Sequence, residues 1–92
     1  MNDRLEKETH IVYILYSSRS DIYYKGYTTD LKARLLEHNK NIGRARYTFH
    51  RGPWELVYSR KYTNKREALK EEIRIKKLNR ASIERLVKNQ HD

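Results

Sequence analysis

Apolar and aromatic residues run without a break from Ile11 to Tyr16, in the order Ile-Val-Tyr-Ile-Leu-Tyr. A continuous β-branched and aromatic run of this length predicts a strand covered on both faces and central in its sheet. The polar stretch Ser17-Ser18-Arg19-Ser20-Asp21 has hairpin-turn length, and Ile22 to Tyr27 returns as a second strand, antiparallel to the first. Thr29 or Asp30 then offers a helix N-cap. That helix runs to about Lys40, with Leu31 and Leu35, and Leu36 beside them, as a narrow core-facing stripe. Residues 41–53 contain Gly43, Gly52 and Pro53 and predict a long loop, of the kind that compact domains reserve for function or leave disordered. Trp54 to Tyr62 reads as a third strand, with Trp54, Leu56, Tyr58 and Tyr62 on one face and Val57 on the other. Asn64, with Glu67 three residues on, marks a capping box for a helix to about Leu78. Ala81 to Lys88 predicts a shorter last helix. The expected fold is α/β, more narrowly an α+β sandwich: a three-stranded antiparallel sheet flanked by helices, in the order β-β-α-β-α-α. Residues 1–9 are expected to be a flexible arm, 10–88 a single domain and 89–92 a tail.

The charge balance adds a partner to this picture. Lys and Arg number 21 against 12 Asp and Glu, a net charge of +9 on 92 residues. So basic a small domain points to phosphate polymers or an anionic membrane surface. A membrane-surface role is disfavoured because neither helix pairs a broad apolar face with a basic one. The longest apolar run falls far short of the roughly 20 residues that span a bilayer, and the polar N-terminus has no signal-peptide pattern. There is no cysteine, which excludes disulfides, thiolate metal sites and a cysteine nucleophile. A cytoplasmic protein is expected, monomeric or of a state that sequence does not specify.

Within the elements, a few residues resist a purely structural reading. Glu72 lies within about 60° of Ala68, Leu69 and Ile75 on a helical wheel, on the face that should pack on the sheet. A carboxylate there needs a cation, strong donors or a wet cleft, and a plain salt bridge to a neighbouring Lys or Arg is an equal reading. Arg34 and His38 are four apart and share one helix face, expected at the edge of the leucine stripe and facing a groove. Arginine's planar fork suits a phosphate, and histidine can move a proton near neutral pH; both residues also suit an ordinary solvated surface. Of the eight tyrosines, Tyr16, Tyr23, Tyr58 and Tyr62 read as half-buried strand formers. Tyr13 and Tyr24 are candidates for one sheet face near Gly26 and the helix start. His10, His50 and His91 lack metal-ligand spacing and are expected on the surface. No Walker loop, dinucleotide fingerprint or His-Glu-x-x-His motif is present.

The ordered set of these residues resembles the GIY-YIG endonuclease superfamily, in its small stand-alone branch. Val12-Tyr13-Ile14-Leu15 matches the first family motif and Tyr24-Lys25-Gly26-Tyr27-Thr28 the second. The patterns Leu31-x-x-Arg34-Leu35-x-x-His38-Asn39 and Glu67-Ala68-x-x-x-Glu72-x-x-Ile75-Lys76-Lys77 follow at matching separations. The resemblance spans residues 10 to about 87. It implies an endonuclease that hydrolyses phosphodiester bonds in DNA with one divalent ion, Mg²⁺ or Mn²⁺, with DNA repair or recombination as a setting. By the same resemblance Glu72 is the sole carboxylate ligand of the metal and Arg34 holds the scissile phosphate. Tyr24 or Tyr13 activates water, and His38 assists.

Two departures from the family pattern bear on substrate choice. The first glycine is replaced near Val12, and Lys25 stands where an aliphatic residue is usual, where it can add a phosphate contact. No separate DNA-targeting domain is expected. Lys25, Lys40, Arg44, Arg46 and Arg51 are therefore the candidate DNA contacts, which position a backbone without reading its sequence. Weak sequence specificity and strong salt dependence are expected. The alternative is a non-catalytic, basic nucleic-acid-binding module that retains an idle nuclease site.

Overall fold

The computed structural model describes residues 8–41 and 46–91. Three antiparallel strands, β1 (His10–Ser17), β2 (Ile22–Thr28) and β3 (Glu55–Tyr62), lie in the spatial order β2-β1-β3. Helix α1 (Leu31–Lys40) follows the hairpin, and a single 3-10 turn, Arg46–Thr48, leads into β3. Helices α2 (Lys65–Lys76) and α3 (Arg80–His91) close the chain. The fold is the α+β arrangement β-β-α-β-α-α that the hydrophobic pattern predicts.

The unbroken apolar run of β1 is explained by its central position. Val12 and Ile14 pack on one side with Tyr58, Ala68, Ile75 and Ile83, under α2 and α3. Ile11, Tyr13 and Leu15 pack on the other side with Trp54, Tyr24, Leu31 and Leu35, under α1. Alternate residues thus enter two separate cores, so no position on β1 is left for a solvent-facing polar residue. Helix α1 begins at Asp30, whose carboxylate accepts the Ala33 N–H at 3.1 Å. Helix α2 begins at Asn64, whose side chain accepts the Arg66 and Glu67 N–H groups.

Several sequence expectations need correction. β3 does not keep one apolar face: Ile14 pairs with Tyr58 but Leu15 pairs with Leu56, so Val57 is an extra residue in a bulge. One inserted residue reverses the facing of everything beyond it. Trp54 and Leu56 therefore join the α1 core, while Val57, Tyr58 and Tyr62 join the α2/α3 core. Leu36 is not part of the α1 stripe and is 51% exposed. His10 is buried, with its Nδ1 2.8 Å from the Tyr27 hydroxyl and the two rings stacked. Helix α3 continues to His91, and Gln90 brackets Ser59 of β3, accepting from its N–H at 2.9 Å and donating to its carbonyl at 2.8 Å. Among the described residues, no helix is long and apolar enough to cross a membrane.

Candidate nuclease site

The site is assembled at the open side of β2, an edge strand, starting from Gly26. Tyr13 of β1 lies opposite Gly26 in register, and its ring crosses the place where a side chain would be. A Cβ on Gly26 would meet Tyr13 Cζ and Oη at 2.6 Å. Only glycine lets the phenol lie flat over β2, and this sends the hydroxyl towards α1. There it meets His38 Nε2 at 2.9 Å, while His38 Nδ1 meets Thr48 Oγ1 at 2.7 Å. Tyr13 and His38 are each 1% exposed and Thr48 is fully buried. The ring of Tyr24, on the same face, packs 4.8 Å from His38 and 6.3 Å from Tyr13, centroid to centroid.

His38 was expected at a groove edge, but it is buried because residues 46–54 fold back over it. Asn39 clamps Trp54 from both sides of its peptide, accepting its N–H at 2.6 Å and donating to its carbonyl at 3.1 Å. The Trp54 indole N–H donates to the Thr48 carbonyl at 3.2 Å. Ser17 and Ser20 of the hairpin turn both donate to the Arg51 carbonyl. The predicted long loop is therefore tied down at its return, and its Thr48 becomes part of the site.

These surroundings set the charge states. Burial first, and then the Arg34 guanidinium, push the His38 pKa down to about 4, with Glu37 acting against them. The ring is neutral at pH 7, with one N–H, and of its two hydroxyl neighbours one accepts and the other donates. Burial raises the Tyr13 phenol well above its ordinary range. Tyr24 and, more weakly, Glu72 push the same way, while Arg34 opposes them from beside the hydroxyl. Tyr13 is thus a neutral hydrogen-bonding group at physiological pH. Burial also works against the charge on Arg34, but Glu37 and Tyr13 outweigh it and its pKa is raised.

Arg34 donates to Glu37 Oε1 at 2.6 Å and lines an open groove of about 360 Å³ with Tyr27, Thr28 and Asp30. Glu72 projects from α2, between the buried Ala68 and Ile75 and 16% exposed. Its Oε2 lies 3.3 Å from Lys76 Nζ, the salt bridge that the sequence left open as one reading. Its charge nevertheless reaches the site: Tyr27 is raised by burial first and then by the carboxylates of Glu8 and Glu72. The groove residue Tyr27 and the buried Tyr13 both feel the Glu72 carboxylate weakly.

Were Glu72 to hold a metal, it would do so as a lone carboxylate. Among the described residues, no group of three or more His, Cys, Asp or Glu gathers to cage a cation. A single hard carboxylate suits Mg²⁺ or Mn²⁺, which keep several waters and share the substrate's phosphate.

The structure brings Tyr13, Tyr24, Arg34 and His38 together, while Glu72, on α2, acts electrostatically on Tyr13. Of the basic residues expected to contact DNA, Lys25 lies beside the site on β2 and Arg51 stands over the Tyr47 ring, 4.8 Å from its centroid. Lys40 is exposed at the end of α1. Arg44 and the side chain of Arg46 lie outside the described residues. Thr48 and Tyr47 were not anticipated: a threonine and a tyrosine in a polar, basic loop carry no periodic signal, and only the return of the chain under Trp54 gives them a role.

An antiparallel sheet with this tyrosine, histidine and arginine cluster at one edge is the frame of a known class of nuclease domain. The family model of the GIY-YIG catalytic domain matches residues 9–87, and the chain belongs to the GIY-YIG family. Membership places it among nucleases and implies a nucleic-acid substrate. Within that family it is similar to the UPF0213 proteins. The one from Oceanobacillus iheyensis is 46% identical over 83 residues, covering 90% of this chain and 94% of its own. The one from Halobacterium salinarum is 44% identical over 77 residues, covering 84% and 97%. The solution NMR structure of a UPF0213 protein from Bacillus halodurans is 40% identical, with a TM-score of 0.57, covering 87% of this chain and 83% of that one.

Proposed function

We propose that this chain is a divalent-metal-dependent endonuclease that hydrolyses phosphodiester bonds in DNA. The observation that carries the reading is the meeting at the β2 edge of a groove-lining guanidinium and a buried Tyr13–His38–Thr48 chain, with Glu72 on α2, the helix packed against β1 and β2. These are the parts that hydrolysis of a phosphodiester requires: a cationic phosphate holder, a positioned proton network and a metal ligand.

Arg34 binds the scissile phosphate in its groove, where the guanidinium exchanges part of its Glu37 pairing for phosphate oxygens and stabilises the charge that grows on them. Tyr13 and His38 position this arginine. The phenol stays protonated, the neutral imidazole holds it, and Thr48 fixes which imidazole nitrogen carries the proton. Tyr24 is half-buried where Tyr13 is fully buried. Solvent reaches it, and it is the tyrosine placed to orient the attacking water, because a group that handles that water must be within hydrogen-bond reach of it. Glu72 would hold a Mg²⁺ or Mn²⁺ ion, which would supply Lewis-acid neutralisation of charge on the phosphodiester oxygens. Backbone contacts by Lys25 and Arg51 give weak sequence specificity.

The test is cleavage of labelled single-stranded, duplex and branched DNA with Mg²⁺, alongside Glu72→Ala, Arg34→Ala, Tyr24→Phe and Tyr13→Phe. Cleavage that needs the metal and disappears in Glu72→Ala and Arg34→Ala is expected, with steep loss as salt rises. Binding without cleavage, unchanged in Glu72→Ala, would reduce the chain to a nucleic-acid-binding module and leave Glu72 as the ion-pair partner of Lys76.

A further inference from the structure

Beside the site an open trough of about 320 Å³ is lined by Tyr23, Tyr24, Lys25, Tyr47 and Lys76. Its composition differs from the rest of the surface. Tyr47 is 55% exposed, a large aromatic ring left in water. The ring is not loose: it stacks on Tyr24 at 5.8 Å with 29° between planes, and Tyr24 in turn rests on His38. Arg51 stands over the Tyr47 ring at 4.8 Å. The far wall carries two ammonium groups, those of Lys25 and Lys76, and no carboxylate lines the trough.

We propose that this trough is a nucleotide subsite that holds one unstacked nucleobase, adjacent to the scissile phosphate, against the Tyr47–Tyr24 wall, with the neighbouring phosphate on Lys25 and Lys76. The proposal rests on the nuclease reading and adds to it what lies next to the cut. Aromatic rings that take a base face, interleaved with cations that take the backbone, are how proteins bind nucleotides without reading sequence. An exposed tyrosine fixed from behind by another tyrosine presents such a face with little freedom left to lose. Arg51 over the same ring shows that the ring accepts a planar cation, and it is placed to pass to a phosphate when a base arrives. The trough also adjoins the metal ligand directly, because Lys76 is the cation paired with Glu72. A phosphate that draws Lys76 away leaves the Glu72 carboxylate open to the ion, so filling the subsite favours metal binding.

The experiment is equilibrium binding of a short single-stranded oligonucleotide carrying 2-aminopurine, in EDTA so that nothing is cut, to the wild type, Tyr47→Ala, Tyr47→Phe and Lys76→Gln. One stacked base contributes about 1–3 kcal/mol, so Tyr47→Ala is expected to weaken binding roughly 5-fold or more and to abolish the quenching of 2-aminopurine. Tyr47→Phe keeps both. Lys76→Gln weakens binding while keeping the quench, and in the absence of DNA it tightens Mn²⁺ binding read by paramagnetic broadening of the α2 amide signals. Wild-type affinity and unaltered fluorescence in Tyr47→Ala would overturn the subsite, whatever the cleavage assay shows. Loss of binding in Tyr47→Ala by a protein that never cleaves would uphold the subsite and refute only the nuclease reading.

Discussion

Acid should destabilise this fold through His38 by an amount that the structure allows to be worked out. In the folded chain the imidazole is buried beside Arg34 and its pKa is pushed down to about 4, from 6.5 for an exposed histidine. Between those values the unfolded chain binds a proton that the folded chain refuses. The stabilisation is therefore whole above pH 6.5 and is lost as pH falls towards 4. Each pH unit across that gap is worth about 1.4 kcal/mol, so the loss by pH 4 is roughly 3 kcal/mol. That is a large share of the 5–15 kcal/mol typical of a whole domain. Carboxylates contribute to acid sensitivity in the same direction: hydrogen bonds from Arg80 to Asp21 and from Arg74 to Glu71 hold both acids below their ordinary range. The effect of His38 is isolated by comparison with His38→Gln, which keeps a polar group but cannot titrate. Urea unfolding of both proteins at steps from pH 7 to pH 4 should show the wild type losing about 3 kcal/mol more than the variant over that range. An NMR titration of the His38 ring should give a midpoint close to the lower value. Parallel losses in the two proteins, or a midpoint near 6.5, would refute the buried, Tyr13-bonded imidazole.

Two substitutions probe the same cluster from its flanks. Gly26→Ala places a methyl group 2.6 Å from the Tyr13 hydroxyl and ring; overpacking of this kind costs about 1–3 kcal/mol, a fall of roughly 10 °C in Tm for a domain this size. It should also raise the His38 pKa, because a displaced phenol admits water to an imidazole held low first by burial, and an unchanged Tm and His38 titration would show that β2 yields without disturbing the phenol. Thr48→Val removes the hydroxyl from His38 Nδ1 at nearly constant shape and should cost about 1–3 kcal/mol, the penalty of a buried polar atom left unpaired. Thr48→Ser should restore the stability; a serine variant that behaves like valine would show that the methyl group, and not the hydroxyl, is what the site needs.

How far the sequence could be read differs from element to element. The central place of β1 was legible because a strand covered on both faces has no polar position, and Ile11 to Tyr16 has none. The helix starts were legible because Asp30 and Asn64 satisfy N–H groups within three residues of themselves. Glu72 could be singled out because helical periodicity is local and shows when a polar residue falls on the apolar face; Arg34 and His38 stood out only as a pair on one helix face and by their match to the family motif. By contrast, the facing of β3 turned on the single extra residue Val57, and alternation cannot reveal a bulge that is set by the partner strand. The burial of His38 was equally hidden, because it depends on Thr48 and Trp54, 10 and 16 residues further along, folding back over α1. The sequence by itself determined which segments become strands and helices and which residues are chemically out of place, since propensity, capping and periodicity act over a few neighbours. Only the tertiary structure decided that Tyr13 lies across Gly26 to reach His38, that Thr48 closes over the same imidazole, and that Tyr47 stands exposed beside Tyr24, because contacts between distant residues follow from how the elements pack.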